Sequence, residues 1–189
     1  MANGIVVSDI NERLSMVRTL IRPLRPERNG HPVDAQGQIV FTREGNGRKA
    51  VVTIKDTGSG LSYRDWFFRT SANLIRAQYF EIWISNESES EWQLCQACLH
   101  LFLVQSHDDP LEEILAIHCE PSLLATSDKL RFKRGPHVHL KAAKHPIGKA
   151  HFPLNLGHLE EVLSTIDNLG KALSDAVHIA QLEVIQAEW

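Results

Sequence analysis

The sequence predicts an α+β fold: a mostly antiparallel sheet flanked by an N-terminal helix, a middle helix and a long C-terminal helix. Three observations carry this expectation. Apolar residues recur at helical spacing at both ends of the chain. Between the ends lie several runs of strand-like composition. Short polar turns separate most of those runs, and short turns join strands antiparallel.

The first helix starts after Ser8 or Asp9, and Glu12 stands where a capping-box acid belongs for Asp9. Ile10, Leu14, Val17, Leu20 and Ile21 make its apolar stripe, and Pro23 ends it. Residues 22–37 read as a loop. Gln38–Arg43 and Lys49–Lys55 read as a hairpin around Glu44-Gly45-Asn46-Gly47. Thr57-Gly58-Ser59-Gly60 is a break that lacks the Gly-Lys-Ser/Thr of a phosphate loop. Tyr63–Ala77 reads as the middle helix. Tyr79–Ser85, Gln93–Val104 and Leu115–Cys119 read as strands. Lys129–Phe132 and His137–Lys141 give another strand or a bent pair, and His151–Leu154 a last short one. From about Gly157 to Ile185 a single stripe runs through Leu159, Val162, Leu163, Ile166, Leu169, Leu173, Val177, Ala180 and Val184. Asn155 is its candidate cap, and Gly170 is a place for it to bend or divide.

The 189 residues fit one domain, 1–189, with residues 1–37 as N-terminal helix and loop and 156–189 as C-terminal helix. Such a chain can bury a core without disulfides or a structural metal, so a bound metal would be functional or local. A net charge of −3 leaves no global nucleic-acid footprint. Lysines and arginines do crowd between Lys129 and Lys149, so nucleic-acid contact is a secondary reading. Three cysteines, no leader-like N-terminus and no long apolar run point to a reducing cytoplasm and no membrane span.

Six of the ten histidines fall between His118 and His158. In a strand, His137 and His139 share a face and present two imidazoles to one side. Upstream, Ile117-His118-Cys119-Glu120-Pro121 sends His118 and Glu120 one way and Cys119 the other. Thiolate and imidazole suit zinc, and a carboxylate can activate a bound water. The candidate metal ligands are Cys119, His137, His139 and His151, with Glu120 as general base and zinc as cofactor. Cys95-Gln96-Ala97-Cys98 has zinc-knuckle spacing but lies inside an apolar strand, where i and i+3 face opposite sides, so both cysteines read as core. His31, His100, His107 and His178 read as surface or packing residues.

The order Cys119-Glu120, His137 and then either His139 or His151 resembles the signature of a small bacterial family called CEHH after those residue types. That resemblance implies metal binding and an association with ubiquitin-like conjugation systems, in the setting of bacterial defence. Pro136, a strand, His145-Pro146 and a long helix also look like the middle of a ubiquitin-conjugating enzyme. Ile147 replaces the expected asparagine there and no cysteine follows, so thioester chemistry is not expected. Three functions follow from the residues: a zinc site, hydrolytic or structural; a metal-free nuclease or phosphodiesterase using paired histidines; and an interaction module. In the last, the C-terminal helix, apolar on more than one side near Val177, Ile179, Leu182, Val184 and Ile185, docks a protein partner or a second copy.

Overall fold

Alternation of side chains, interrupted by β-bulges, organises the centre of the molecule. The computed structural model describes residues 5–28, 31–54, 65–69, 74–85, 90–104, 112–121, 137–140, 150–153 and 166–179. In chain order the strands are β1 Val6–Val7, β2 Glu27–Arg28, β3 His31–Pro32, β4 Ile39–Glu44, β5 Lys49–Ile54, β6 Asp65–Arg69, β7 Leu74–Ser85, β8 Trp92–Val104, β9 Glu112–Cys119, β10 His137–Leu140 and β11 Ala150–Pro153. The helices are α1 Ile10–Leu20, the four-residue α2 Ala35–Gln38 and α3 Ile166–Ile179.

All strand pairings are antiparallel and form one sheet in the order β11-β10-β9-β8-β7-β6-β2-β3. The two long strands, β7 and β8, form its spine. One edge of β7 is shared by β6, opposite Leu74–Gln78, and by β5, opposite Phe80–Ile84. The β4–β5 hairpin turns through Gly45, Asn46 and Gly47, all at positive φ, which explains the Gly-Asn-Gly sequence there.

One sheet face meets the helices. Ile75, Ala77, Tyr79 and Trp83 of β7, Leu99 and Leu101 of β8, Leu115 and Ile117 of β9, and Val138 of β10 join a single core with Ile10, Leu14 and Val17 of α1 and Leu169, Leu173 and Val177 of α3. A bulge between Ile82/Gln96 and Trp83/Leu94 shifts the register, so Trp92 and Leu94 face this core beside the odd-numbered residues that follow. Asp9 caps α1, its Oδ1 accepting from the Asn11 amide at 2.8 Å. Arg18 donates twice to the Ile39 carbonyl and ties α1 to β4.

The α+β class and the predominantly antiparallel sheet are as the sequence predicts, with three corrections. The expected middle helix over Tyr63–Ala77 is replaced, where described, by β6 and the start of β7, paired from Asp65↔Gln78 to Arg69↔Leu74. Trp66, Phe67 and Phe68 are consecutive and all buried, which a strand covered on both faces accommodates and a one-sided helix does not. The C-terminal helix is described over 14 residues, Ile166–Ile179, rather than the longer span expected; residues 157–165 and 180–185 lie outside the described set. Gly170 does not divide it. A Cβ there would lie 3.6 Å from Met16 Sδ and 3.9 Å from Leu20 Cδ1, so this glycine marks where α3 crosses α1. The loop over 22–37 holds the short β2, β3 and α2. Lys129–Phe132, Gly135-Pro136 and Thr57–Gly60 lie outside the described residues. Among the described residues, no helix is long and apolar enough to cross a membrane.

Candidate metal centre

The second sheet face, turned away from α1 and α3, gathers the histidines. Register does this. Cys98 on β8, His118 on β9 and His137 on β10 stand directly opposite one another in one cross-strand row. His100, Ala116 and His139 form the next row. The small Ala116 between two histidines leaves room for His118 to lean toward both. Its ring centroid lies 4.7 Å from that of His100 and 4.4 Å from that of His139. His137 closes the group, 4.8 Å from His139 and 5.8 Å from His118.

Among the described residues, two sets of side chains here could hold a metal ion: His118, His137 and His139, and Cys98, His100 and His118. Within each set the ligand atoms all lie within 4.8 Å of one another. Imidazole nitrogens around a tetrahedral zinc, at about 2.0–2.1 Å from the ion, stand about 3.4 Å apart. The Nε2 atoms of His118, His137 and His139 are shut off from solvent, and His137 is 0% exposed. Three imidazoles converging in a shielded place fit a borderline-soft divalent ion better than they fit solvent.

The residues nominated from sequence take different places. His137 and His139 come together as i, i+2 alternation requires. The His151 backbone lies opposite His139 across β10–β11; its side chain is outside the described set. Glu120 continues β9 on the His118 side and accepts from Gln96 Nε2 at 3.1 Å. Cys119 points to the helix face, 3% exposed, and belongs to the core there. Burial and the nearby Glu81 carboxylate push its thiol well above the usual range. Of the two residues in the Cys95–Cys98 pair, Cys98 faces the histidines rather than the helix core, and burial followed by the Glu120 charge pushes its thiol up to about 12.

Sequence reasoning missed His100 and His118 as ligands. His118 carried a signal, since it shares the Glu120 side of β9. His100 reads as packing because its partners lie on other strands. Its Nδ1 stands 2.9 Å from Glu113 Oε2, an arrangement that fixes the ring and leaves Nε2 to face a ligand.

A second polar group lies under α1. Glu81 is fully buried and accepts from Arg13 Nε at 3.1 Å, Arg13 Nη2 at 2.5 Å, Tyr79 Oη at 2.5 Å and Trp83 Nε1 at 2.9 Å. Burial alone would raise its carboxyl, but the Arg13 charge and the four donated bonds outweigh burial and hold it below its ordinary range. Both residues break their patterns in the sequence. Arg13 sits on the apolar stripe of α1, and Glu81 sits between inward-facing Tyr79 and Trp83. They border a pocket of about 30 Å³ with Cys119, Leu169 and Leu173.

No protein-family model, no curated protein and no solved structure matches this chain. The functional reading therefore rests on the site itself.

Proposed function

We propose that this chain is a zinc protein whose ion is held by His118, His137 and His139, with a fourth coordination position left for water or substrate. The observation that carries the reading is the convergence of these three imidazoles from β9 and β10 on one shielded spot. His151, in register with His139, is the candidate for closing the shell. With the shell open, these residues would hold a zinc ion that could supply an acidified water and a Lewis acid. Glu120, on the His118 side of β9, is then the candidate base that takes the proton.

A specific feature favours the hydrolytic version over a purely structural site. A groove of about 400 Å³ opens on the sheet between β5, β6 and β7, lined by Lys49, Thr53, Asp65, Gln78 and Phe80 among others. Gln78 pairs in register with His100, and the Phe80 ring stacks on the His100 ring at 6.3 Å between centroids. Two lining residues of the groove, Gln78 and Phe80, therefore neighbour His100 across β7–β8, and a substrate held there would approach an ion on the histidine face from that side. An association with ubiquitin-like conjugation systems, implied by the CEHH resemblance, enters this proposal through the histidines. The signature's cysteine lies in the opposite layer.

Titration of zinc against a competing chromophoric chelator tests the reading. Wild type should bind about one ion, and His118→Ala and His139→Ala should each weaken binding by more than about 100-fold, as loss of a direct ligand requires. Equal affinity in all three proteins would refute it.

A further inference from the structure

The same face carries a second donor set that overlaps the proposed zinc site at His118 and adds two side chains which that site does not use, Cys98 and His100. Cys98 and His118 are directly opposite on β8 and β9, and His100 follows Cys98 at i+2 on the same side of β8. Three independent features converge there. One is the mutual approach of Cys98 Sγ and the two imidazoles to within 4.8 Å. Another is the Glu113 carboxylate at 2.9 Å from His100 Nδ1, the arrangement that orients a metal-bound histidine through its far nitrogen. The third is shielding: Cys98 is 2% exposed and lies outside the helix-side core, so its sulfur faces the histidines in a place with little competing water.

The geometry points to a second metal position, Cys98–His100–His118, selective for a thiophilic ion. One sulfur and two nitrogens suit soft cations such as Cd2+ or Cu+, whereas three imidazoles alone make no such selection. Binding replaces the Cys98 Sγ–H bond with an Sγ–metal bond and releases one proton to solvent. The position shares His118 with the three-histidine site, so the two compete for that ring and the face holds one ion at a time. A hard-to-borderline ion settles toward β10 and a thiophilic one toward β8. Glu113 is a positioning residue in this arrangement, acting through His100.

The test uses the full chain, reduced beforehand and freed of reductant by anaerobic desalting, and Cd2+ alone as probe. Thiolate ligation gives an ultraviolet charge-transfer absorption that nitrogen ligation does not. In wild type this absorption should grow and saturate at about one equivalent of Cd2+. Cys98→Ala should abolish it, while Cys95→Ala and Cys119→Ala should leave it unchanged. The double variant His137→Ala/His139→Ala should keep it, and this arm separates the two sites. If that variant also keeps full zinc affinity, the three-histidine reading fails and this one stands. Glu113→Gln should keep the absorption but weaken Cd2+ by about 10-fold or more. His100→Ala should weaken it further, and it provides the decision if Cys98→Ala does not fold by circular dichroism. Absence of the absorption in wild type, its survival in Cys98→Ala, or unchanged Cd2+ affinity in His100→Ala would each overturn the second position.

Discussion

Replacing Glu81 by glutamine tests the largest electrostatic commitment in the fold. The side chains of Arg13 and Glu81 are 0% and 1% exposed. Glutamine keeps the shape of the glutamate but removes its charge, and its amide nitrogen must face one of the donors Arg13, Tyr79 or Trp83. The guanidinium is then buried without a counter-charge. Breaking a buried pair from one side costs about 3–5 kcal/mol. For a domain of this size about 1 kcal/mol moves Tm by roughly 2–4 °C, so Glu81→Gln should lower Tm by roughly 6–20 °C. The double variant Arg13→Met/Glu81→Met should lose less than the sum of its parts, because no lone charge remains. Urea denaturation of Glu81→Gln and of the four proteins of the Arg13→Met/Glu81→Met cycle, followed by the fluorescence of the buried tryptophans, measures both free energies. A Glu81→Gln protein within about 1 kcal/mol of wild type would refute the reasoning, since it would mean that the charge is hydrated.

The same pair sets the response to acid. Glu81 has a lowered carboxyl in the folded state, so its contribution is fully present above the ordinary glutamate range and is lost as pH falls through the folded value. Stability measured from pH 7 downward should fall less steeply in Glu81→Gln than in wild type, and parallel curves would contradict this. Gly170→Ala should stabilise by about 0.5–1 kcal/mol, because the helix gains an alanine and its Cβ meets Met16 and Leu20 at ordinary contact distance. Gly170→Leu should destabilise by about 1–3 kcal/mol as it forces α3 away from α1; a neutral result in thermal denaturation would show that the helices do not pack there. Cys119→Ala should leave zinc affinity unchanged in a chelator competition, since Cys119 lies in the core on the far side of β9 from His118. A tenfold loss would place its thiolate on the ion.

How much of this was readable in the chain depends on how local each signal is. The α1 cap, the Gly45-Asn46-Gly47 turn and the Tyr79–Ser85 part of β7 are properties of short windows, and they appear as expected. His137 and His139 are legible as a pair for the same reason. The strand β6 was not, because Trp66, Phe67 and Phe68 obscure any alternation, and only pairing with β7 decides between helix and strand. The bulge near Cys95 has no local marker, yet it determines which side of β8 each residue takes. The row from Cys98 through His118 to His137 joins three strands and depends on β8, β9 and β10 being neighbours in register. The Arg13–Glu81 pair left one trace in each partner, a charge on an apolar stripe, but joining them across 68 residues needs the packed fold.

The most direct measurement is the metal content of the purified, untagged protein, by elemental mass spectrometry, for wild type beside His118→Ala. His118 belongs to both donor sets, so the account predicts about one zinc per chain in wild type and a metal-free but folded His118→Ala. Wild type that carries no metal and takes up none from added zinc, or a His118→Ala protein that keeps its full complement, would contradict it.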